Sequence, residues 1–249
     1  MKSNPVILVV LLLSLLAGCT TVGPKPDKIA ESHLMLGTSY LQSNNPTAAL
    51  KEFLQAEEVK PDDVEIQAGL AQAYQRKKAY PEAEKHYLKA LKLSPDDPDV
   101  ANNLGALYLD MGRWDDAKRY FRQAADNLLF AHPEVALAGE GTALLQQGNY
   151  LEAVTVLKKS IRIQPHYAVA HLRLGEVYYA LDKNDQAIEE FKAALVDAPN
   201  FVMAHYKLAL ALQKDDRNDE AIAELNKVLS IAPDSDLAKL AKEHLDLLR

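Results

Sequence analysis

The stretch LGALYLDMGRWDDAKRYFRQAAD, Leu104–Asp126, holds five residues whose spacing decides the fold: Gly105, Tyr108, Ala117, Phe121 and Ala124. Gly105 and Tyr108 stand three apart, and Ala117, Phe121 and Ala124 stand four and three apart, so each set occupies one face of a helix. Between the sets, DMGRW interrupts the apolar period with a glycine and charged residues, which marks a turn. The segment reads as two short helices folded back on each other. Small residues let them approach closely, and large ones fill the space beside the crossing.

The pattern extends in both directions. Alanine recurs at 49, 83, 117, 153, 187 and 221, at intervals of 34, 34, 36, 34 and 34. Twelve residues before each alanine stands Gly37, Ala71, Gly105, Gly141, Gly175 or Ala209, and nine before it Tyr40, Tyr74, Tyr108, Leu144, Tyr178 or Leu212. Four residues after it comes Phe53, Tyr87, Phe121, Leu157, Phe191 or Leu225, and seven after it Ala56, Ala90, Ala124, Ser160, Ala194 or Val228. Pro61, Pro95, Pro165, Pro199 and Pro233 close five of the units. A proline stops the second helix because it lacks the N–H and clashes with the preceding turn. Asp62, Asp63, Asp96 and Asp97 then place negative charge where the next helix begins, as the helix dipole favours.

These six units resemble the tetratricopeptide repeat. The resemblance implies an all-α, right-handed superhelical solenoid over 30–235, with repeats 30–63, 64–97, 98–133, 134–167, 168–201 and 202–235. An array of this kind leaves its last apolar face uncovered unless a cap follows. The tail DLAKLAKEHLDLLR places Leu237, Leu240, Ala241, Leu245 and Leu248 on one stripe, with Lys239, Lys242, Glu243 and Asp246 opposite. It is expected to form a capping helix over 236–249, the thirteenth helix of the chain.

Composition narrows the function. The chain has 249 residues and a net charge of −7, with no dense Lys/Arg run to neutralise phosphates, so no nucleic-acid partner is expected. Its one cysteine, Cys19, allows neither an intramolecular disulfide nor a cysteine metal cluster. His33, His171 and His205 fall at one repeat position and are expected to pack between paired helices. No cysteine or regularly placed carboxylate completes a metal shell around them, so no metal site and no cofactor are expected. No Gly-rich phosphate loop, Gly-x-Ser-x-Gly elbow or His-Glu-x-x-His motif occurs, which leaves no catalytic residues and a non-enzymatic role.

The N-terminus accounts for the cysteine. MKSNPVILVVLLLSLLAGCTTVG has a lysine at position 2, an apolar run from Val6 to Leu16, then Leu16-Ala17-Gly18-Cys19. Eleven helical residues span roughly 16 Å, about half a bilayer core, as a secretory signal does and a transmembrane helix does not. Leu-Ala-Gly-Cys resembles the bacterial lipobox. That resemblance implies a signal peptide over 1–18, cleavage before Cys19, and lipidation of Cys19. Two or more acyl chains anchor a protein stably. Thr20 stands where an aspartate would retain the protein in the inner membrane, so the expected address is the periplasmic face of the outer membrane. Residues 19–29, rich in Gly, Pro and polar residues, are expected to form the lipidated terminus and tether.

Tetratricopeptide arrays bind peptides or protein segments along the concave face. Carried over by repeat position, the residues expected there are Leu34, Leu41, Gln72, Arg76, Asn102, Asn103, Leu109, Leu145, Leu172, Arg173, Tyr179, Tyr206 and Lys207. Asn103 falls where many such domains hold a ligand backbone. The neighbouring repeats lack the matching Lys and Arg of a carboxylate clamp, which disfavours a chaperone-tail receptor.

One interval is two residues long. DNLLFAHPEVALAGEG, Asp126–Gly141, joins the third and fourth units, and the proline there comes late, at Pro133. The second helix of the third unit is expected over Asp115 to about Leu128, and the next from about Glu134. Leu128, Leu129 and Phe130 form an apolar patch that either plugs the gap made by the insertion or stands out as a docking ridge. The junction is similar to that of the PilF/PilW family of type IV pilus biogenesis lipoproteins. It matches at Asn127, Leu129, Phe130, Pro133, Glu134, Ala136, Leu137 and Gly141. It departs where Leu128 replaces a proline, Gly139 an asparagine, and Ala143 a frequent cysteine. The resemblance implies a pilotin, whose partner is an outer-membrane secretin subunit or a pilus assembly protein. A lipoprotein scaffold for peptidoglycan enzymes or a polysaccharide-export complex is the competing expectation.

Overall fold

A computed structural model of the protein describes residues 26–248, among which lie thirteen α-helices and no strand. Cys19, the apolar run before it and most of the expected tether lie outside the described residues. The helices form six consecutive antiparallel pairs and a single last helix. The pairs are α1 (Pro26–Gln42) with α2 (Pro46–Val59), α3 (Val64–Arg76) with α4 (Tyr80–Leu93), and α5 (Pro98–Asp110) with α6 (Trp114–Asp126). They continue as α7 (Pro133–Gln146) with α8 (Tyr150–Ile163), α9 (Ala168–Ala180) with α10 (Asn184–Asp197), and α11 (Val202–Lys214) with α12 (Asn218–Ile231). The chain closes with α13 (Asp236–Leu247). The all-α solenoid is as expected. One boundary differs: α1 begins on Pro26, so residues 26–29 belong to a helix and not to the tether. Pro26 suits a first helical position, and Asp27 supplies acid in the first turn.

The turn within each pair reverses the chain through one left-handed residue. Asn44, Lys78, Gly112, Gly148, Asp182 and Asp216 have φ between 56° and 76° and recur at the alanine spacing. After each, a backbone N–H reaches back to close the first helix, as from Ala79 to the Tyr74 carbonyl at 3.0 Å and from Arg113 to that of Tyr108 at 2.8 Å. Between pairs, acids start the next helix as expected. Asp63 accepts from the N–H groups of Glu65 and Ile66, and Asp97 from that of Val100.

Within each pair, the large residue of the second helix presses on the small residue of the first. Phe53, Tyr87, Phe121, Leu157, Phe191 and Leu225 are at most 3% exposed. A Cβ added to Gly37 would come within 2.5 Å of the Phe53 ring, so only glycine permits that approach. The histidines pack between paired helices, each through a specific bond. His33, His171 and His205 donate from Nδ1 to Glu52, Glu190 and Glu224 at 2.7, 2.7 and 2.6 Å. In the second pair the roles are exchanged, with Gln67 on the first helix and His86 on the second, 2.7 Å apart.

The last helix caps the array. Ala238, Ala241 and Leu245 are buried against α11 and α12, whereas Leu240, expected on the same stripe, is 41% exposed. The buried face follows the 238, 241, 245 period, which turns residue 240 toward solvent.

Candidate protein-docking site

The corner between α6 and α7 is built around Asn127. In a strictly periodic chain Leu129 would occupy the position of Pro61 and Pro95, and a proline there would carry no N–H. Here the helix stops early, at Asp126 instead of Leu128, and Asn127 becomes its cap. The Asn127 amide donates from Nδ2 to the Asp96 carbonyl at 2.7 Å. Its Oδ1 accepts the N–H of Leu129 at 2.8 Å, an Asx turn that satisfies the donor a proline would have removed. The Phe130 N–H returns to the Asn127 carbonyl at 3.1 Å, and Gln123 donates to the Pro95 carbonyl at 3.0 Å. The corner is thus tied to the preceding one at two points.

The three residues of the patch separate. Leu128 is 100% and Leu129 89% exposed, whereas Phe130 is 7% exposed and packs in the cluster of Phe121, Ala124, Ala136 and Ala143. Phe130 therefore does not belong to a docking ridge; it fills the space opened by the two-residue extension. The leucines stand alone on the outside of a braced turn.

Beneath the corner, the departure at Gly139 has a steric cause, and Glu140 carries information that motif reading missed. Gly139 is enforced by Phe121, whose ring lies 2.5 Å from where a Cβ would sit, so the asparagine of the related junction cannot be accommodated without moving the ring. Glu140 is 2% exposed at the register where other first helices hold Leu70, Leu104, Leu174 and Leu208, all equally buried. Arg122 binds it from the side and also reaches Glu152 at 3.2 Å. Burial pushes the Glu140 carboxyl above the usual carboxylate range, and the Arg122 hydrogen bond opposes this. Glu140 was legible as the one acid in a column of leucines.

The concave face sorts the residues expected there. Asn103 lines an open cavity of 290 Å³ with Gln72, Gln75, Arg76, Ala106 and Asp110, an amide-rich surface suited to a peptide backbone. Asn102 lies beside it in sequence, and its Oδ1 is buried without a partner among the described residues. Arg76 is occupied by the Leu41 carbonyl, and Leu109 and Leu145 are half-buried against the core. Leu41, Leu172 and Tyr206 are 6%, 1% and 8% exposed, so they are core and not groove. Leu41 packs with Ile66, Leu70 and Ala73 of α3, and Tyr206 with Ala241 and Leu245 of α13, so the following helix covers them.

Further along the same face, Arg173 and Lys207 hold Glu176 between them at 2.7 and 3.1 Å. Tyr179 completes this site with Leu210, and the Lys214 ammonium lies 4.8 Å from its ring centroid. Leu34 lines a separate cavity with Met35 and Thr38 at the start of the array. Among the described residues, no group of three or more His, Cys, Asp or Glu side chains comes together as a metal site. Among the features of the described residues are an amide-rich groove, a charged and aromatic groove, and an apolar corner.

Comparison with known proteins agrees with the architecture. The chain is similar to PilF of Pseudomonas aeruginosa, with 19% identity and a TM-score of 0.75, covering 91% of this chain and 100% of that one. It is also similar to PilW, described as a widely conserved type IV pilus biogenesis factor, with 19% identity, a TM-score of 0.77, and coverage of 85% and 97%. YrrB, described as a tetratricopeptide repeat protein with an unusual peptide-binding site, shows 21% identity, a TM-score of 0.53, and coverage of 77% and 97%. At these identities the likeness shows the fold. No curated protein matches. A tetratricopeptide repeat model matches residues 204–235, and the model of the Cilia and flagella-associated protein 70 C-terminal domain matches residues 21–211. The chain therefore belongs to the latter family.

Proposed function

We propose that the chain is a lipid-anchored adaptor of type IV pilus biogenesis, a pilotin acting at the periplasmic face of the outer membrane. Cys19 carries the acyl chains, and the solenoid holds a secretin subunit or another pilus assembly protein. No bond is made or broken. The anchor confines the binding surface to two dimensions and raises its effective concentration near a membrane-inserted client.

The observation that carries this reading is the Leu128–Leu129 pair. Its side chains are 100% and 89% exposed on a turn that Asn127 braces at both ends. Burying one such leucine at an interface is worth about 1.5–3 kcal/mol, and a pre-braced turn loses little freedom on binding. The similarity to PilF and PilW over 91% and 85% of the chain supports assigning the client to pilus machinery.

The test is deletion of the chain followed by membrane fractionation of the secretin. The multimer is expected to be lost from the outer membrane, or pili to be lost with it, and the wild-type chain restores both. Normal multimers and normal pili in the deletion strain refute the proposal.

A further inference from the structure

Along the concave face the chemistry changes between the first three pairs and the last three. One register holds Glu31, Glu65 and Asp99 in α1, α3 and α5, and Glu65 lines the cavity around Leu34. The same register holds Val135, Val169 and Met203 in α7, α9 and α11. One helical turn later α9 and α11 carry Arg173 and Lys207, where α1, α3 and α7 have Met35, Gly69 and Gly139.

The two cations share one carboxylate. Glu176 accepts from Arg173 Nη1 at 2.7 Å through Oε2, and its Oε1 lies 3.1 Å from Lys207 Nζ. Lys214 pairs with Asp182 and lies over the Tyr179 ring. Three cations thus meet two carboxylates, an excess of one positive charge in a chain of net charge −7. Asp215 and Asp216, in the turn after Lys214, and Glu243 on α13 form no ion pair with any of the three among the described residues.

A tie between α9 and α11 needs only Glu176 and Lys207, so Arg173 is surplus to it. A guanidinium has five donors, and the Arg173 side chain gives one to Glu176. Its Nε is enclosed with no partner among the described residues, whereas enclosed donors in folded proteins are nearly always matched. The outer parts of Arg173 and Lys207 stay open, each side chain being about a third exposed.

The space beside them is bounded by Tyr179, Phe191 and Leu210 and measures 60 Å³. That volume takes the end of one side chain and is far below the roughly 300–1,000 Å³ of a small-molecule pocket. The matching occupant is a polypeptide laid along the concave face, with one side chain inserted. A terminal carboxylate is captured by a nest of free backbone N–H groups. Arg173, Glu176 and Lys207 stand inside helices, whose N–H groups are already bonded, so the complementary group is an internal Asp or Glu. Tyr179 and Leu210 give an apolar neighbour of that residue a surface to lie on.

We infer that the concave face between α9 and α11 takes an acidic segment of the client protein, one carboxylate of which binds Arg173 and Lys207 in competition with Glu176. The inference rests on the reading of the chain as a protein-binding adaptor and names the chemistry of one segment that it holds. The client's carboxylate neutralises the excess positive charge and supplies the acceptor that Arg173 lacks.

The test uses the full chain, purified in detergent, and two peptides with a neutral dye at one end and an amide at the other. They are Gly-Ser-Leu-Glu-Phe-Ser-Gly and the same sequence with Gln for Glu, and fluorescence anisotropy reads their binding. The Glu peptide is expected to bind about tenfold tighter, as a charge-assisted pair contributes, and added salt narrows the difference. Arg173→Gln and Lys207→Gln should each abolish the preference. Lys207→Arg should keep it, which separates loss of charge from loss of fold. Glu176→Gln removes the competitor and should tighten the Glu peptide several-fold while leaving the Gln peptide unchanged, an effect that a purely structural tie does not give. Equal binding of the two peptides, binding of neither, or a preference that survives both Arg173→Gln and Lys207→Gln overturns the inference and leaves the Leu128–Leu129 corner and its client standing. The expected preference together with normal secretin multimers and pili in the deletion strain would instead leave an acid-binding adaptor with a client outside the pilus.

Discussion

Leu129 and Phe130 are consecutive, yet one is 89% and the other 7% exposed, because the Asx turn of Asn127 holds the chain so that the leucine side chain leaves the fold as the phenylalanine enters it. An apolar triplet that looks uniform in sequence is thereby divided into a plug and a candidate contact. Substitution separates the two roles.

Leu128→Ser with Leu129→Ser removes no packing, and its effect on thermal unfolding should stay within about 0.5 kcal/mol, as for surface changes generally. Phe130→Ser empties a filled corner and should cost about 3 kcal/mol or more, as large-to-small core changes do. Chemical denaturation of the two variants checks this. Equal losses would mean that the leucines are structural too.

Glu140 is an acid in a column of leucines. Its folded-state pKa is raised, chiefly by burial, so the folded form disfavours the ionised carboxylate, and stability falls as pH rises from the ordinary glutamate value through the folded one. Glu140→Leu should stabilise the array at neutral pH by about 1–2 kcal/mol and flatten stability across that window, because a leucine restores the packing of the other pairs. Arg122→Ala should destabilise at neutral pH, since it leaves the buried acid without its partner. Melting curves between pH 4 and 8 measure both, and a loss of stability in Glu140→Leu would show that the ion pair itself holds the junction.

Lys78 is the least suited of the six left-handed turn residues. Its φ of 60° costs a lysine roughly 1–2 kcal/mol that glycine does not lose, and Gly112 and Gly148 already occupy the same place in neighbouring turns. Lys78→Gly should raise the denaturation midpoint, offset in part by the greater freedom of glycine when unfolded. An unchanged or lower midpoint would mean that the Lys78 side chain contributes a contact that outweighs the strain.

The histidines should titrate in opposite directions. The carboxylate of Glu190 and the carbonyl of Pro165 both accept from His171, and the Glu190 bond chiefly raises its pKa, with Asp197 adding to it. The stability His171 adds is complete below the ordinary histidine range and is lost as pH rises through its folded value. His86 is lowered by burial, with Lys85 and Lys89 adding to this and Glu57 opposing. Its contribution is complete above the ordinary range and is lost as pH falls toward its folded value. Nuclear magnetic resonance titration of the imidazole protons reads both; a His171 value below that of His86 would contradict the assigned hydrogen bonds.

The repeat spacing made the helix pairs, their turns and the cap legible, because the apolar period and a polar turn recur in every unit and prolines close five of the six on time. The late Pro133 located the irregular corner. What spacing could not supply was direction. The side on which Phe130 turns depends on Asn127 bonding to Asp96, 31 residues earlier in the chain. Carrying positions over to the concave face also misplaced Leu41, Leu172 and Tyr206, since a side chain at a groove register is covered when the neighbouring helix lies close. Glu140 differs from an ordinary helix acid only in its register, which it shares with Leu104 and Leu174.

The measurement that bears most directly on the adaptor reading is photocrosslinking in living cells from a photoreactive residue at Leu128, with the same residue at Leu151 on another part of the surface. The account predicts that position 128 captures a secretin subunit or another pilus assembly protein and that position 151 does not. Capture of peptidoglycan enzymes or polysaccharide-export proteins at 128, or no protein captured there while pili assemble normally, would contradict it.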